Sequence, residues 1–215
     1  ALLQHELPVP DSVQALVKRD TDMAQRITLT DAAIDKLQRE IAEPAVIHLA
    51  RRPPLAVDLR DIVGALRLAG DLERIGDLAK NIAKRVIALN DEFPPPKLIR
   101  GVEHMADLVL GQLKSVLDAY AQRDDAKAMA VWRGDEQIDA MTTSVFRELL
   151  TYMMEDPRNI GFCIHLMFCA KNIERIGDHA TNIAETVFYM IEGQQILDKR
   201  PKGDMTSFAS AAPGN

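Results

Sequence analysis

An eleven-residue phrase occurs twice in this chain. Glu73-Arg74-Ile75-Gly76-Asp77-Leu78-Ala79-Lys80-Asn81-Ile82-Ala83 returns as Glu174-Arg175-Ile176-Gly177-Asp178-His179-Ala180-Thr181-Asn182-Ile183-Ala184. The spacing is a constant 101 (73 to 174), and nine of the eleven positions agree. Periodic apolar residues recur in any two amphipathic helices, but here Glu, Arg, Asp, Asn and a mid-helix glycine keep register as well. The chain is an internal duplication, and the duplicated part is acidic.

The repeat extends upstream at a second spacing. Arg19-Asp20, Ala24, Asp31 and Asp35 answer to Arg123-Asp124, Ala128, Asp135 and Asp139, each 104 residues later. The three-residue step falls between the Pro53-Pro54 turn and the turn at Pro157, where a loop absorbs added length at little entropic cost. Each half is a folding unit of roughly 100 residues.

Composition points to helices: of 215 residues 47% are hydrophobic and only 5% aromatic, with no alternating β-branched runs. The predicted class is all-α, two tandem antiparallel three-helix bundles, each with a modest core. A net charge of -6 argues against nucleic acid, which needs clustered excess Lys and Arg. The longest apolar stretch, Ile160 to Ala170, contains His165 and falls short of the roughly 20 residues of a membrane span. The N-terminus carries no signal-peptide pattern. Cys163 and Cys169 lie on different sides of one predicted helix, too far apart for a disulfide, which suits a reducing cytoplasm.

Punctuation places the helices. After Pro94-Pro95-Pro96, Val102, Met105, Val109, Leu113, Val116 and Tyr120 give a helix over about Lys97 to Ala121 one apolar face. A second helix follows the turn at Gln122 to Asp125 and stops before Pro157. A third, from about Arg158 to Glu192, ends at Gly193. The first half repeats this with helices over about Asp22 to Ala50, kinked at Pro44, and Leu55 to Asn90. Its opening helix is short, about Asp11 to Arg19, because Pro8 and Pro10 fall where the matching helix is mid-span; part of that bundle's apolar face is then left for a neighbour to cover. The predicted domains are 1–93 and 97–193, with 194–215 a flexible tail.

Candidate chemistry lies on the duplicated polar stripe. At 100° per residue Leu72, Ile75, Ala79, Ile82 and Val86 share one face, while Glu73, Asp77 and Asn81 step along a stripe about 150° away, directed away from the core. Like charges four apart repel by roughly 0.2–0.5 kcal/mol, yet the pattern stands at Glu73/Asp77, Glu174/Asp178, Asp31/Asp35 and Asp135/Asp139. A hard or iron-like cation held by carboxylate oxygens would relieve that repulsion. The other reading is a solvated face balanced by Arg74, Lys80 and Lys84. Gly76 and Gly177, each costing up to about 1 kcal/mol against alanine, imply a close approach there, by a helix more than by a ligand. No Glu-x-x-His pair, P-loop, nucleophile elbow or His-Glu-x-x-His occurs, so no enzyme class is indicated. His165 with Cys169, and Glu103 with Asp107, are secondary metal candidates.

Two three-helix repeats carrying Glu-Arg-Ile-Gly-Asp-x-Ala-x-Asn-Ile-Ala after an Asp-x-x-x-Asp helix resemble the PhoU phosphate-uptake regulators of bacteria. Leu150-Thr151-Tyr152-Met153-Met154-Glu155-Asp156-Pro157 is similar to that family's second repeat. The resemblance runs from about Asp11 to Gly193; the short first helix and the tail depart from it. It implies a cytoplasmic, non-catalytic negative regulator of the phosphate-starvation response. Such a regulator is an adaptor between the phosphate transporter ATPase and the phosphate sensor histidine kinase, reaching the membrane through these partners and forming a homodimer. Some family members carry metal clusters on the acidic motifs. That implies multinuclear iron or zinc, or another divalent cation, at Glu73, Asp77, Glu174 and Asp178, with Asp31, Asp35, Asp135 and Asp139 as companions. A metal-binding or metal-buffering helical protein is the alternative function.

Overall fold

The structure is a computed structural model that describes residues 7–29, 31–51, 56–89, 95–198 and 200, with the side chains of 31–33, 37, 50 and 51 outside the description. Its helices are α1 (Val9–Lys18), α2 (Thr21–Leu29), α3 (Asp31–Arg51), α4 (Ala56–Ala88), α5 (Pro96–Gln122), α6 (Asp125–Arg133), α7 (Asp135–Glu155) and α8 (Ile160–Glu192), with a 3₁₀ turn at Pro157–Asn159. The duplication is visible down to the caps. Both α1 and α5 end on an arginine in the left-handed conformation, Arg19 (φ 58°) and Arg123 (φ 53°). In each case the next N–H closes the turn, Asp20 to the Ala15 carbonyl and Asp124 to the Ala119 carbonyl, both at 3.0 Å. Asp20 and Asp124 then cap the following helices, accepting from the backbone N–H of Met23 and Lys127 at 2.8 Å.

One expectation about the elements changes. The second helix of the second unit is split in two at Gly134, between α6 and α7. A Cβ at Gly134 would come within 2.7 Å of the Gln112 side chain, so this corner is tight against α5. The Pro53-Pro54 and Pro94 turns lie outside the described residues, and α3 continues through Pro44. The opening helix is short as expected, with Pro8 at its N-cap and Pro10 in its first turn, where a missing N–H costs nothing.

The long helices α4 and α8, 33 residues each, organise the molecule. α4 packs on α1, α2 and α3, α8 packs on α5, α6 and α7, and the two pack on each other. They run antiparallel: Gly64 lies against Met190, Asp71 bonds His179, and Arg85 stacks on Phe168. Because the doubled phrases lie on these two helices, the units are related by a pseudo-twofold axis crossing the α4–α8 contact. The two expected cores are therefore one continuous apolar cluster, from Val9 to Val187. Fully buried Leu72, Ile75, Ile176 and Ile183 each contribute roughly 1.5–3 kcal/mol.

The mid-helix glycines find their reason here. A Cβ on Gly76 would stand 2.7 Å from Ile34 Cδ1, and one on Gly177 would stand 2.9 Å from Ile138 Cδ1. Ile34 and Ile138 correspond at the 104 spacing, so each glycine seats an isoleucine of the preceding helix.

Candidate functional site

The acidic residues of the second unit do not form the solvent-facing stripe expected from the helical wheel. Asp135 is 3% exposed, and Asp139 and Glu174 are 8% exposed. The wheel angle is sound, but α8 is packed on several sides, and the side turned away from its apolar face is covered by α7. Burying a carboxylate demands a partner, and the chain supplies two. Arg200, in the segment after α8, places Nε 2.7 Å from Asp135 Oδ2 and Nη2 2.8 Å from Asp135 Oδ1. The same Nη2 reaches Asp178 Oδ1 at 2.6 Å. Thr181 Oγ1 donates to Asp135 Oδ1 at 3.2 Å. Lys171 pairs with Glu174 Oε2.

Electrostatics follow from this packing. Burial raises the Glu174 pKa, the Lys171 ammonium opposes that rise, and Asp178 and Asp139 reinforce it. For Arg200, desolvation works against the charge, but the hydrogen bond and Coulomb attraction to Asp135, with Asp178 and Glu185 behind, outweigh it and raise its pKa.

In the first unit the acids of the same motif, Glu73 and Asp77, are half-buried, and its arginine is exposed. Arg74 Nε is 3.6 Å from Glu73 Oε2 and its Nη1 is 3.8 Å from Asp77 Oδ2, a long-range pairing within a single helix. Asp35 is half-buried, and the side chain of Asp31 lies outside the described residues. Among the described residues no three of His, Cys, Asp or Glu stand close enough together to hold an ion.

Other sequence candidates disperse. Glu103 is half-buried, while His104 and Asp107 are exposed on α5. Cys169 is fully buried and its thiol is pushed up to about 12 by that burial; burial raises Cys163 too.

Two groups that sequence reasoning passed over are prominent. Arg200 lies 65 residues from Asp135, and its only sequence signal is the charged run Asp198-Lys199-Arg200 beyond the Gly193 cap. His179 is one of the two mismatches in the doubled phrase, and its Nδ1 donates to Asp71 Oδ1 across the α4–α8 contact at 2.8 Å. Its counterpart Leu78 offers no such bond, so the mismatch itself was the clue.

Two three-helix units joined through the helices that carry the phrase define a doubled helical-repeat protein whose acids are buried under Arg200 and Lys171 in one unit and half-buried beside Arg74 in the other. The chain belongs to the PhoU domain family, which matches residues 9–86 and 102–187. It is 59% identical over 202 residues to a phosphate-specific transport system accessory protein PhoU homolog of Rhizobium meliloti (strain 1021), covering 94% of this chain and 85% of that one. A protein of the same description from Caulobacter vibrioides (strain NA1000 / CB15N) is 48% identical over 202 residues, covering 94% and 88%. Among solved structures, PhoU from Pseudomonas aeruginosa superposes with a TM-score of 0.84 at 41% identity, covering 86% of this chain and 89% of that one. The phosphate transport system regulatory protein PhoU from Streptococcus pneumoniae gives 0.81 at 28% identity, covering 91% and 90%.

Proposed function

We propose that the chain is an accessory regulator of phosphate-specific transport that works as an adaptor without catalysis of its own. It would hold the phosphate-starvation response off by docking the transporter ATPase and the phosphate sensor histidine kinase on the cytoplasmic side of the membrane. The observation that carries this reading is the single core uniting both units, which gives two partners one rigid body to share. The transport-accessory description of a relative 59% identical supports that pathway. No helix among the described residues is long and apolar enough to cross a membrane, so attachment through partners suits the chain. Co-purification with the ATPase and the kinase at high phosphate tests it: both are expected to be retained, and retention of neither removes the adaptor reading.

A second reading is favoured by the burial of Asp135, Asp139 and Glu174. These carboxylates, with Asp178, are oxygen donors of the kind that suits a hard divalent or iron ion; as they lie no three stand close enough together to hold one, so Arg200 would have to leave Asp135 and Asp178 and the side chains would have to close up around it. Glu73, Asp77 and Asp35 would serve in the first unit. A bound ion would organise a docking surface or be buffered. Elemental analysis of protein purified without chelator, together with calorimetric titration of zinc into wild type and Arg200→Ala, tests this. Tighter zinc binding by the variant is expected; no binding by either form leaves the acids structural.

A further inference from the structure

The pseudo-twofold axis that relates the units also relates two clefts between α4 and α8. One, of about 360 Å³, is lined by Asn81, Lys84, Arg85, Ala88, Phe168 and Asn172. Moving these six by 101 residues gives Asn182, Glu185, Thr186, Tyr189, Arg67 and Asp71, and all six line the other cleft, of about 590 Å³. The two sites are the same place in the duplicated fold, and their charges have diverged.

The larger cleft carries both signs, with Arg67 and Arg74 against Asp71, Glu73 and Glu185. Asp71 bonds His179, Glu185 accepts from Trp132 Nε1 at 3.1 Å, and Arg74 reaches Glu73. Gln195 and Ile196, from the segment after α8, line it as well. The smaller cleft has none of this. Lys84 and Arg85 supply two positive charges, and no carboxylate stands among its described lining residues. Arg85 lies 4.1 Å over the Phe168 ring. Stacking fixes the guanidinium plane and leaves its N–H edge to meet a carboxylate in two parallel hydrogen bonds.

Phe168 is 47% exposed, and it continues a ridge with Ile160 and Ile164, each 41% exposed. Residues at i, i+4 and i+8 stay on one side of a helix and span about 12 Å, the footprint of two turns of a second helix. An apolar ridge leading into a basic cleft is the complement of an amphipathic helix with acidic residues beside its apolar anchors. We propose that Ile160, Ile164 and Phe168, with Lys84 and Arg85, form the docking groove for an acidic amphipathic helix of a protein partner.

This rests on the adaptor reading, and the experiment separates the two. Purified transporter ATPase and the cytoplasmic part of the sensor kinase are titrated against wild type, Lys84→Glu/Arg85→Glu, Phe168→Ser, and Arg67→Glu as the same sign change at the related cleft. Circular dichroism confirms folding, and wild-type sedimentation and phosphate competition are run alongside. The groove variants are expected to lose about tenfold or more in affinity for one partner, with Arg67→Glu unchanged. Wild-type binding that all variants retain overturns the groove and leaves the adaptor standing. If wild type binds neither partner, the adaptor reading and the groove fall together. A wild-type dimer dissociated by the groove variants would make a second copy the occupant. Competition by millimolar inorganic phosphate, lost in Lys84→Glu/Arg85→Glu, would make it a free anion. Either result overturns the proposal.

Discussion

The Glu-Arg-Ile-Gly-Asp phrase of α4 and its copy on α8 carry the same acids in the same register, yet they meet different partners. On α4, Asp77 and Glu73 share the exposed Arg74 of their own helix. On α8, Glu174 is buried, and Asp178 joins buried Asp135 under a guanidinium from a distant part of the chain. The motif therefore does not decide its own environment. What packs over it decides whether a carboxylate is paired along its own helix or held by a cation from a distant part of the chain.

The sharpest way to break this comparison is to remove the two arginines in turn. Arg200→Ala strands Asp135, which is 3% exposed, and is expected to lower stability by about 3–5 kcal/mol. Arg74→Ala, at a side chain 64% exposed, should stay within about 0.5 kcal/mol. Urea denaturation of both reads the contrast, and equal effects would show that burial of the α8 acids carries no energetic weight.

A smaller effect is expected where the units agree. Gly177→Val must displace Ile138, which is 1% exposed, and should cost about 1–3 kcal/mol; Gly76→Val meets Ile34 in the same way and should cost a similar amount. Thermal melts that separate the two widely would show that the glycine seats have diverged along with the acids. The caps are expected to match more closely. Asp20→Ala and Asp124→Ala each remove one N-cap bond and should each cost about 1 kcal/mol.

The smallest effect is in pH. The Glu174 pKa is raised above its ordinary value of 4.5, so across the window just above that value the folded chain holds more proton than the unfolded one. Stability from this group then falls as pH rises through the window. Glu174→Gln cannot titrate, so wild type should lose stability relative to the variant from about pH 4.5 upward. A parallel pH course for the two proteins would remove Glu174 from the account.

Much of this was legible in the residues. The doubled phrase, the two spacings and the glycine seats all follow from side-chain identity and helical period. The rest depended on contacts that sequence periodicity does not encode. A helical wheel gives the angle between Glu174 and Ile176 but not what lies over each, so the α8 stripe was placed in water when α7 covers it. Gly134 sits in an unbroken helical pattern, and the tight approach of Gln112 that accompanies the break comes from another element. Arg200 meets Asp135 across 65 residues, with no repeat partner to signal it.

The antiparallel α4–α8 pair also sets a length scale. Phe168 and Tyr189, one in each cleft, are 21 residues apart on one continuous helix, a separation of about 32 Å along its axis. A standard interface takes roughly 800 Å² from each partner, a patch about 30 Å across. A protein seated in the groove at Phe168 thus leaves the far end of the helix pair, around Tyr189, uncovered.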